Sequence, residues 1–178
     1  MFSTVVSSSV LDLVASFPIV AFSGGRSLVG PSLFAARWLC GSCSPSSVVV
    51  GCAPGADAVA RESFPRASVF SVVAGSGRGG FAARSVRVVR ECAAGGGLWV
   101  SFPSSSCPAG LSPSSSSGRA FCGSGSGSWA SLAFALGSGL PCLMFLAPGT
   151  LPPVGWGFVA IGSGWFLSRP AAVQSSLF

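Results

Sequence analysis

The sequence FCGSGSGSWASLAFALGSGLPCLMFLA, residues 121–147, decides the fold that we expect for this chain. A glycine–serine loop opens a short apolar helix, a Gly-Leu-Pro turn ends it, and residues 140–147 form an apolar run typical of a buried strand. Because Gly123, Gly125 and Gly127 carry no Cβ, their backbone N–H groups can come close to a ligand. At a helix N-terminus such N–H groups, together with the helix dipole, favour an anion, most often phosphate.

Four further apolar runs precede this stretch and separate segments with helical spacing. The predicted strands are residues 18–22, 47–52, 67–73, 98–102 and 140–147, and the helices between them cover residues 31–40, 57–63, 81–94 and the segment after the glycine loop. Residues 75–80 are predicted to form a flexible loop. The pattern predicts an α/β fold, a Rossmann-like doubly wound parallel sheet of about five strands in the order 3-2-1-4-5 with helices on both faces.

The ends of the chain differ from this pattern. Residues 1–17 mix serine and valine without a clear period and are interpreted as a lead-in segment to a Rossmann-like domain over residues 18–147. Residues 148–178 are rich in glycine, proline and tryptophan and are predicted to be an extension that packs on the domain. Short strands are expected there at residues 158–161 and 165–167.

The composition bounds the chemistry. The 178 residues suit one domain; 49% are hydrophobic, only 8% are charged, and the net charge is +6. No histidine or lysine occurs, which excludes an imidazole base, a lysine Schiff base and a Walker A loop. The candidate acids and bases are the carboxylates Asp12, Asp57, Glu62 and Glu91 and the seven cysteines.

The cysteines favour a reducing compartment. Their number is odd and residues 1–22 lack the basic region of a secretory signal, so we expect a cytoplasmic location with free thiols. Cys40 and Cys43 have CxxC spacing, but no second pair and no histidine accompany them. A metal or redox role and a role as small apolar core residues are both open; we expect no metal and no cofactor.

A long uncharged stretch raises the question of a membrane. Residues 129–146 are nearly all apolar, but Gly137, Ser138, Gly139 and Pro141 interrupt them midway. Two short elements are expected rather than one span of about 20 residues, so no membrane partner is predicted.

A stripe of arginines follows one face of the predicted helix over residues 81–94. Arg84, Arg87 and Arg90 recur at helical spacing opposite an apolar face, which favours a solvated surface. Together with Arg78 and Arg119 they offer the alternative of a basic track for single-stranded nucleic acid.

Three loops, at the ends of predicted strands or at the start of a helix, resemble the loops of a known protein superfamily. They are SGGRS at residues 23–27, GCAPGAD at residues 51–57 and GSGSGS at residues 123–128, in that order. In this they resemble the SLOG superfamily of Rossmann-like domains, over residues 18–147. That superfamily includes the DNA-processing protein A fold, the LOG phosphoribohydrolases, and small domains of phage and mobile-element proteins.

The resemblance implies a nucleotide or nucleotide-derived small molecule as ligand, bound in a sensor-type domain. The residues it places at the ligand are Gly24, Gly25, Arg26, Ser27, Gly55, Ala56, Asp57, Gly123, Gly125, Ser126, Gly127 and Ser128. Simpler roles stay open: a flexible linker for the glycine loop, a surface charge for Arg26 and a helix cap for Asp57.

Other functions and the assembly also stay open. LOG enzymes carry a catalytic glutamate soon after their glycine loop, whereas residues 129–140 contain no acid, so no catalytic residue is expected. An N-glycosidic hydrolase using Asp57 or Glu91 is the first alternative, and a single-stranded DNA-binding protein is the second. A homodimer is the assembly left open.

Overall fold

The computed structural model describes residues 4–123 and 125–170; for residues 4–8 and Arg78 it describes the backbone alone. The elements in chain order are α1 (Thr4–Ala15), β1 (Val20–Gly24), α2 (Gly30–Ser42), β2 (Val48–Gly51), α3 (Ala56–Ser63), β3 (Ser68–Phe70), α4 (Gly77–Ala94), β4 (Leu98–Phe102), α5 (Ser117–Ala120), α6 (Gly127–Gly137), β5 (Cys142–Phe145), β6 (Val159–Gly162) and β7 (Trp165–Ser168).

The strands form one sheet of seven in the order β3-β2-β1-β4-β5-β7-β6. The first five are parallel, with Val20 of β1 opposite Val48 of β2 on one side and Leu98 of β4 on the other. The predicted fold class and the parallel order 3-2-1-4-5 are therefore confirmed. Strand β7 then pairs antiparallel with β5, and β6 pairs antiparallel with β7.

Helices cover both faces of the sheet, which explains why the central strands are apolar at nearly every position. Side chains alternate along β1: Val20 and Phe22 join the hydrophobic cluster under α1, α2 and α3, whereas Ala21 joins the cluster under α4 and α6. Strands β2, β4 and β5 are buried along their whole length.

Helix α6 is the most deeply buried helix of the second face. Every residue from Ser128 to Ala135 is buried, and the indole Nε1 of Trp129 donates a hydrogen bond to the carbonyl of Ser105, at 2.8 Å. This bond ties the loop after β4 to the start of α6. Within the described ranges, no helix combines the length and the apolar character needed to cross a membrane.

The structure differs from the expected lead-in at residues 1–17, because Thr4–Ala15 is a helix. Val10 and Val14, one turn apart, are fully buried in the cluster of the first face. Leu11 and Leu13 are partly buried against the same cluster, so packing rather than helix propensity stabilises this segment, which is rich in serine and valine.

The predicted loop at residues 75–80 is also shorter than expected. Helix α4 begins at Gly77, so residues 77–80 form its first turn, and β3 keeps only three residues at the edge of the sheet. Glycines weaken the helical signal in this segment, which explains the error.

The C-terminal extension adds β6 and β7 to the sheet. Trp165 of β7 is buried, and its ring meets the rings of Phe102 and Phe145 edge-on, with centroids 5.8 and 5.2 Å away. Trp165 thus joins the core of the first face and Trp156 that of the second, while residues 171–178 lie outside the described residues.

Candidate functional site

A cavity of about 480 Å³ opens where the strand order reverses between β1 and β4. Its walls come from the ends of these strands, from α4, and from the segment that leads into α6. Ligands of open α/β sheets bind at this topological switch point, outside the carboxyl ends of the strands. The fold therefore places the cavity where the sheet topology favours a site.

Most residues that the sequence singles out line this cavity. Those at its wall are Gly24, Gly25, Arg26, Asp57, Gly123, Gly125, Ser126, Gly127 and Ser128. The other three, Ser27, Gly55 and Ala56, do not line it, and Ser27 is exposed to solvent. The structure thus brings parts of all three loops together around one space.

Gly55 and Ala56 position the loops instead. The N–H of Ala56 donates to the carbonyl of Gly25, at 3.2 Å, which joins the turn after β2 to the loop after β1. Gly55 has a positive φ of 74°, and a Cβ there would overlap the Gly25 carbonyl. Only glycine allows the two loops to approach this closely.

Asp57 forms a buried ion pair with Arg84 of α4. The Nη1 of Arg84 lies 3.3 Å from the Oδ2 of Asp57, which also accepts a hydrogen bond from the N–H of Ala53, at 3.2 Å. Only 4% of Asp57 and 8% of Arg84 are exposed. Burial raises the pKa of the Asp57 carboxyl above its usual value and outweighs the opposing effects of Arg84 and the Ala53 N–H. No side chain of the described residues caps α3, so Asp57 does not act as its helix cap.

The solvated-face interpretation is therefore wrong for Arg84, although Arg87 and Arg90 are exposed as expected. Arg84 also donates from Nη2 to the hydroxyl of Ser85, at 3.4 Å. Gly51 makes room for the pair, because a Cβ there would lie 2.5 Å from the Asp57 Oδ2 and 2.7 Å from the Arg84 Nη1. The sequence offered one indirect signal: a buried carboxylate in a chain without lysine or histidine has only arginine as a cationic partner.

A second arginine fixes the turn after β2. Arg61 of α3 donates from Nη1 to the carbonyls of Gly51 and Ala53, at 2.7 and 3.0 Å. These bonds hold the backbone whose Ala53 N–H contacts Asp57. Sequence reasoning did not single out Arg61, which lies in the helix after that turn.

Arg26 is the exposed cation of the cavity wall. Its guanidinium carbon lies 4.4 Å from the centroid of the Phe81 ring, a cation–π contact that orients the side chain along the wall. Phe81 belongs to α4, and no sequence pattern indicated that it lies beside the loop after β1. Together with Leu111 and Phe121 it gives the cavity an apolar side.

The start of α6 also lines the cavity. Helix α6 begins at Gly127 after an extended N-cap residue, Ser126, and no side chain of the described residues caps it. The hydroxyls of Ser126 and Ser128 bond to each other at 2.6 Å, and that of Ser131 donates to the Gly127 carbonyl at 2.8 Å. The first N–H groups of an 11-residue helix are thus left for solvent or for a ligand.

The cysteines divide into buried and accessible groups. Cys40 and Cys43 are buried in the core, and burial raises the pKa of both, that of Cys43 to about 11. Among the described residues, no group of three or more cysteines and carboxylates could hold a metal ion. Cys52 differs: burial raises its pKa, but the backbone hydrogen bond of Val72 and the Arg84 guanidinium, 3.8 Å from its sulfur, outweigh burial and lower it.

No family model, no curated protein and no solved structure matches this chain.

Proposed function

We propose that the cavity binds a phosphate-bearing small molecule, a nucleotide or a nucleotide derivative, and that the domain acts as a sensor-type binding module. One observation carries the proposal: the two glycine loops, Arg26 and the uncapped start of α6 converge on a single cavity. Each feature alone is common, but an exposed cation and a helix N-terminus facing the same space form an anion site.

The size and lining of the cavity support a small molecule. Its volume of about 480 Å³ falls within the range of about 300–1,000 Å³ typical of ligand pockets. Polar groups from Ser104, Ser126 and Ser128 share the wall with the apolar side formed by Phe81 and Phe121. A ligand with a charged end and a planar, less polar end suits this division.

The two arginines of the wall differ in what they offer to an anion. Asp57 balances the charge of Arg84, whereas the described carboxylates form no ion pair with Arg26. The phosphate is therefore placed near Arg26 and the start of α6, rather than near Arg84.

A thermal-shift series tests the proposal with inorganic phosphate, ribose 5-phosphate, AMP and ADP-ribose as probes. A probe at 100 times its Kd should stabilise the protein by about 2.7 kcal/mol. Arg26→Ala should weaken binding at least about tenfold, because it removes a charge-assisted contact. Arg90→Ala is the matched control, since Arg90 is exposed on α4 and does not line the cavity. If no probe raises the melting temperature, the proposal fails.

One observation favours a second candidate, hydrolysis of an N-glycosidic bond. Of the four carboxylates of the chain, only Asp57 lies at the wall of the cavity. Burial raises the pKa of its carboxyl, which is the direction that favours a proton donor. Incubating AMP and NAD with the protein and with Asp57→Asn tests this; substrates left intact by the unmodified protein exclude it.

A further inference from the structure

A second, much smaller cavity of about 10 Å³ adjoins the first. The two cavities share Ser23, Asp57, Arg84 and Ser85 in their walls, and Gly51 and Trp99 are among the other residues around the small one. A space of this size holds about one oxygen atom with its hydrogens. We call it the floor chamber; Asp57 and Arg84 line both it and the main cavity.

Two buried N–H groups around the floor chamber have no acceptor within the described part of the chain. They are the indole Nε1 of Trp99, a residue that is 1% exposed, and the Nε of Arg84, a residue that is 8% exposed. Buried donors are almost always hydrogen-bonded, so two orphaned donors at one small cavity point to an acceptor that lies outside the described residues. This observation is independent of the glycine loops.

The charges around the chamber select the kind of acceptor. The guanidinium of Arg84 is already balanced by the Asp57 carboxylate, so a second anion would meet that carboxylate without a free cation to offset it. A hydroxyl fits better, because its oxygen accepts two hydrogen bonds while its proton can be donated to a carboxylate or to the oxygen of Ser23 or Ser85.

We infer that the floor chamber binds one hydroxyl group of the ligand, whose oxygen accepts hydrogen bonds from the Nε of Arg84 and the Nε1 of Trp99. The inference rests on the proposed function, since the rest of that ligand occupies the main cavity. It narrows the ligand to a phosphorylated compound with free hydroxyl groups. The phosphate of this compound contacts Arg26 and the start of α6, and one of its hydroxyl groups lies in the floor chamber.

The indole N–H signals of ¹⁵N-labelled protein test this inference directly. The chain has five tryptophans, and the signal that disappears in Trp99→Phe is that of Trp99. Ribose 5-phosphate should shift the Trp99 signal, because a new acceptor deshields its proton, whereas inorganic phosphate should leave it in place. Trp165, buried in the cluster of the opposite face, is the internal control and should not move.

Affinity measurements with Arg84→Lys and Trp99→Phe form the second arm. Lysine keeps a positive charge for Asp57 but lacks the Nε donor, and phenylalanine removes the indole donor. Each variant should bind ribose 5-phosphate about tenfold more weakly and should bind inorganic phosphate with unchanged affinity. Circular-dichroism melting of the free variants separates a lost contact from a lost fold.

The outcomes distinguish the two claims. If ribose 5-phosphate stabilises the protein through Arg26 but does not move the Trp99 signal, the hydroxyl subsite is overturned and the proposed function stands. If inorganic phosphate moves the Trp99 signal as far as ribose 5-phosphate does, the chamber binds an anion and the inference is again overturned. If none of the four probes, AMP and ADP-ribose included, stabilises the protein or moves the signal, both claims fall.

Discussion

The Nη1 of Arg84 and the Oδ2 of Asp57 lie 3.3 Å apart beneath the cavity, and both side chains are nearly fully buried. The pair joins α4 to the first turn of α3, and its two residues are 27 positions apart in the chain. Both residues line the main cavity and the floor chamber. Stability, pH dependence and thiol reactivity should all reflect this contact.

Removing one partner should destabilise the protein strongly. Arg84→Ala leaves the buried Asp57 carboxylate without its cation, and such a loss costs about 3–5 kcal/mol. Urea unfolding measures the change in the free energy of unfolding. Arg90→Ala, on the exposed side of α4, should change it by no more than about 0.5 kcal/mol. A cost for Arg84→Ala no larger than that of Arg90→Ala would contradict a structural role for the pair.

The pH dependence of stability should follow the raised pKa of Asp57. Because burial favours the protonated carboxyl in the folded state, its stabilising contribution is full below the usual aspartate pKa of about 4 and is lost as the pH rises through the raised value. The free energy of unfolding of the unmodified protein, minus that of Asp57→Asn, should therefore fall as the pH rises above about 4. A difference that grows over this range would mean that Arg84 outweighs burial.

Gly51→Ala should disturb the ion pair without touching the cavity loops. The added Cβ would lie 2.5 Å from the Asp57 Oδ2 and 2.7 Å from the Arg84 Nη1, so the side chains must move. Overpacking of this kind costs about 1–3 kcal/mol. Gly41→Ala in α2 is the control, since its Cβ would meet nothing within 4 Å and alanine stabilises a helix by about 0.5–1 kcal/mol. In urea unfolding, Gly51→Ala should lower the free energy of unfolding and Gly41→Ala should raise it. Equal changes for the two variants would argue that the Cβ at residue 51 does not overlap the ion pair.

Cys52 should be alkylated at lower pH than an ordinary thiol. The backbone of Val72 and the guanidinium of Arg84 outweigh the effect of burial and lower the pKa of Cys52, whereas burial raises the pKa of Cys92 to about 12. Mass spectrometry after iodoacetamide treatment across a pH series gives the midpoint for each cysteine. Arg84→Gln should move the midpoint of Cys52 upward, and an unchanged midpoint would show that Arg84 has no part in lowering it.

The sequence predicted the fold well where strands are covered on both faces. Residues 98–102 are all apolar or small, and β4 has these same limits, because a strand with two buried faces shows no polar position to confuse its ends. The edge strand β3 is shorter than its apolar run, since an edge strand has a pairing partner on one side only and pairs here over three residues. Helix α1 escaped prediction because its serines and valines have low helix propensity, and it is packing, such as that of Val10 and Val14, that stabilises it.

The candidate site divides in the same way. Loops such as residues 23–27 are visible in sequence because glycines at strand ends mark close backbone approach. The contacts between Arg84 and Asp57 and between Arg26 and Phe81 depend on how α4 is rotated against the sheet. Helical spacing alone gave Arg84 and Arg87 the same surface role, whereas packing buries the first and exposes the second.

Gly127→Val is the most direct test of the proposed anion site. A Cβ at residue 127 would meet no atom within 4 Å beyond its chain neighbours and its own helix, and Gly127 is not among the residues with positive φ, so we expect valine to fit without disturbing the fold. Since Gly127 lines the cavity at the first turn of α6, the added methyl groups would occupy the space beside its N–H groups. Ser128→Ala is the companion variant, which removes one hydroxyl contact and should cost about 1 kcal/mol of binding at most.

The measurement is a calorimetric titration of Gly127→Val with the phosphorylated probe that most stabilises the unmodified protein, beside the melting temperature of each free protein. We predict that binding is abolished while the melting temperature of the ligand-free variant is unchanged. Binding of that probe by the valine variant with unaltered affinity would contradict the account, because the start of α6 would then not be where the phosphate lies.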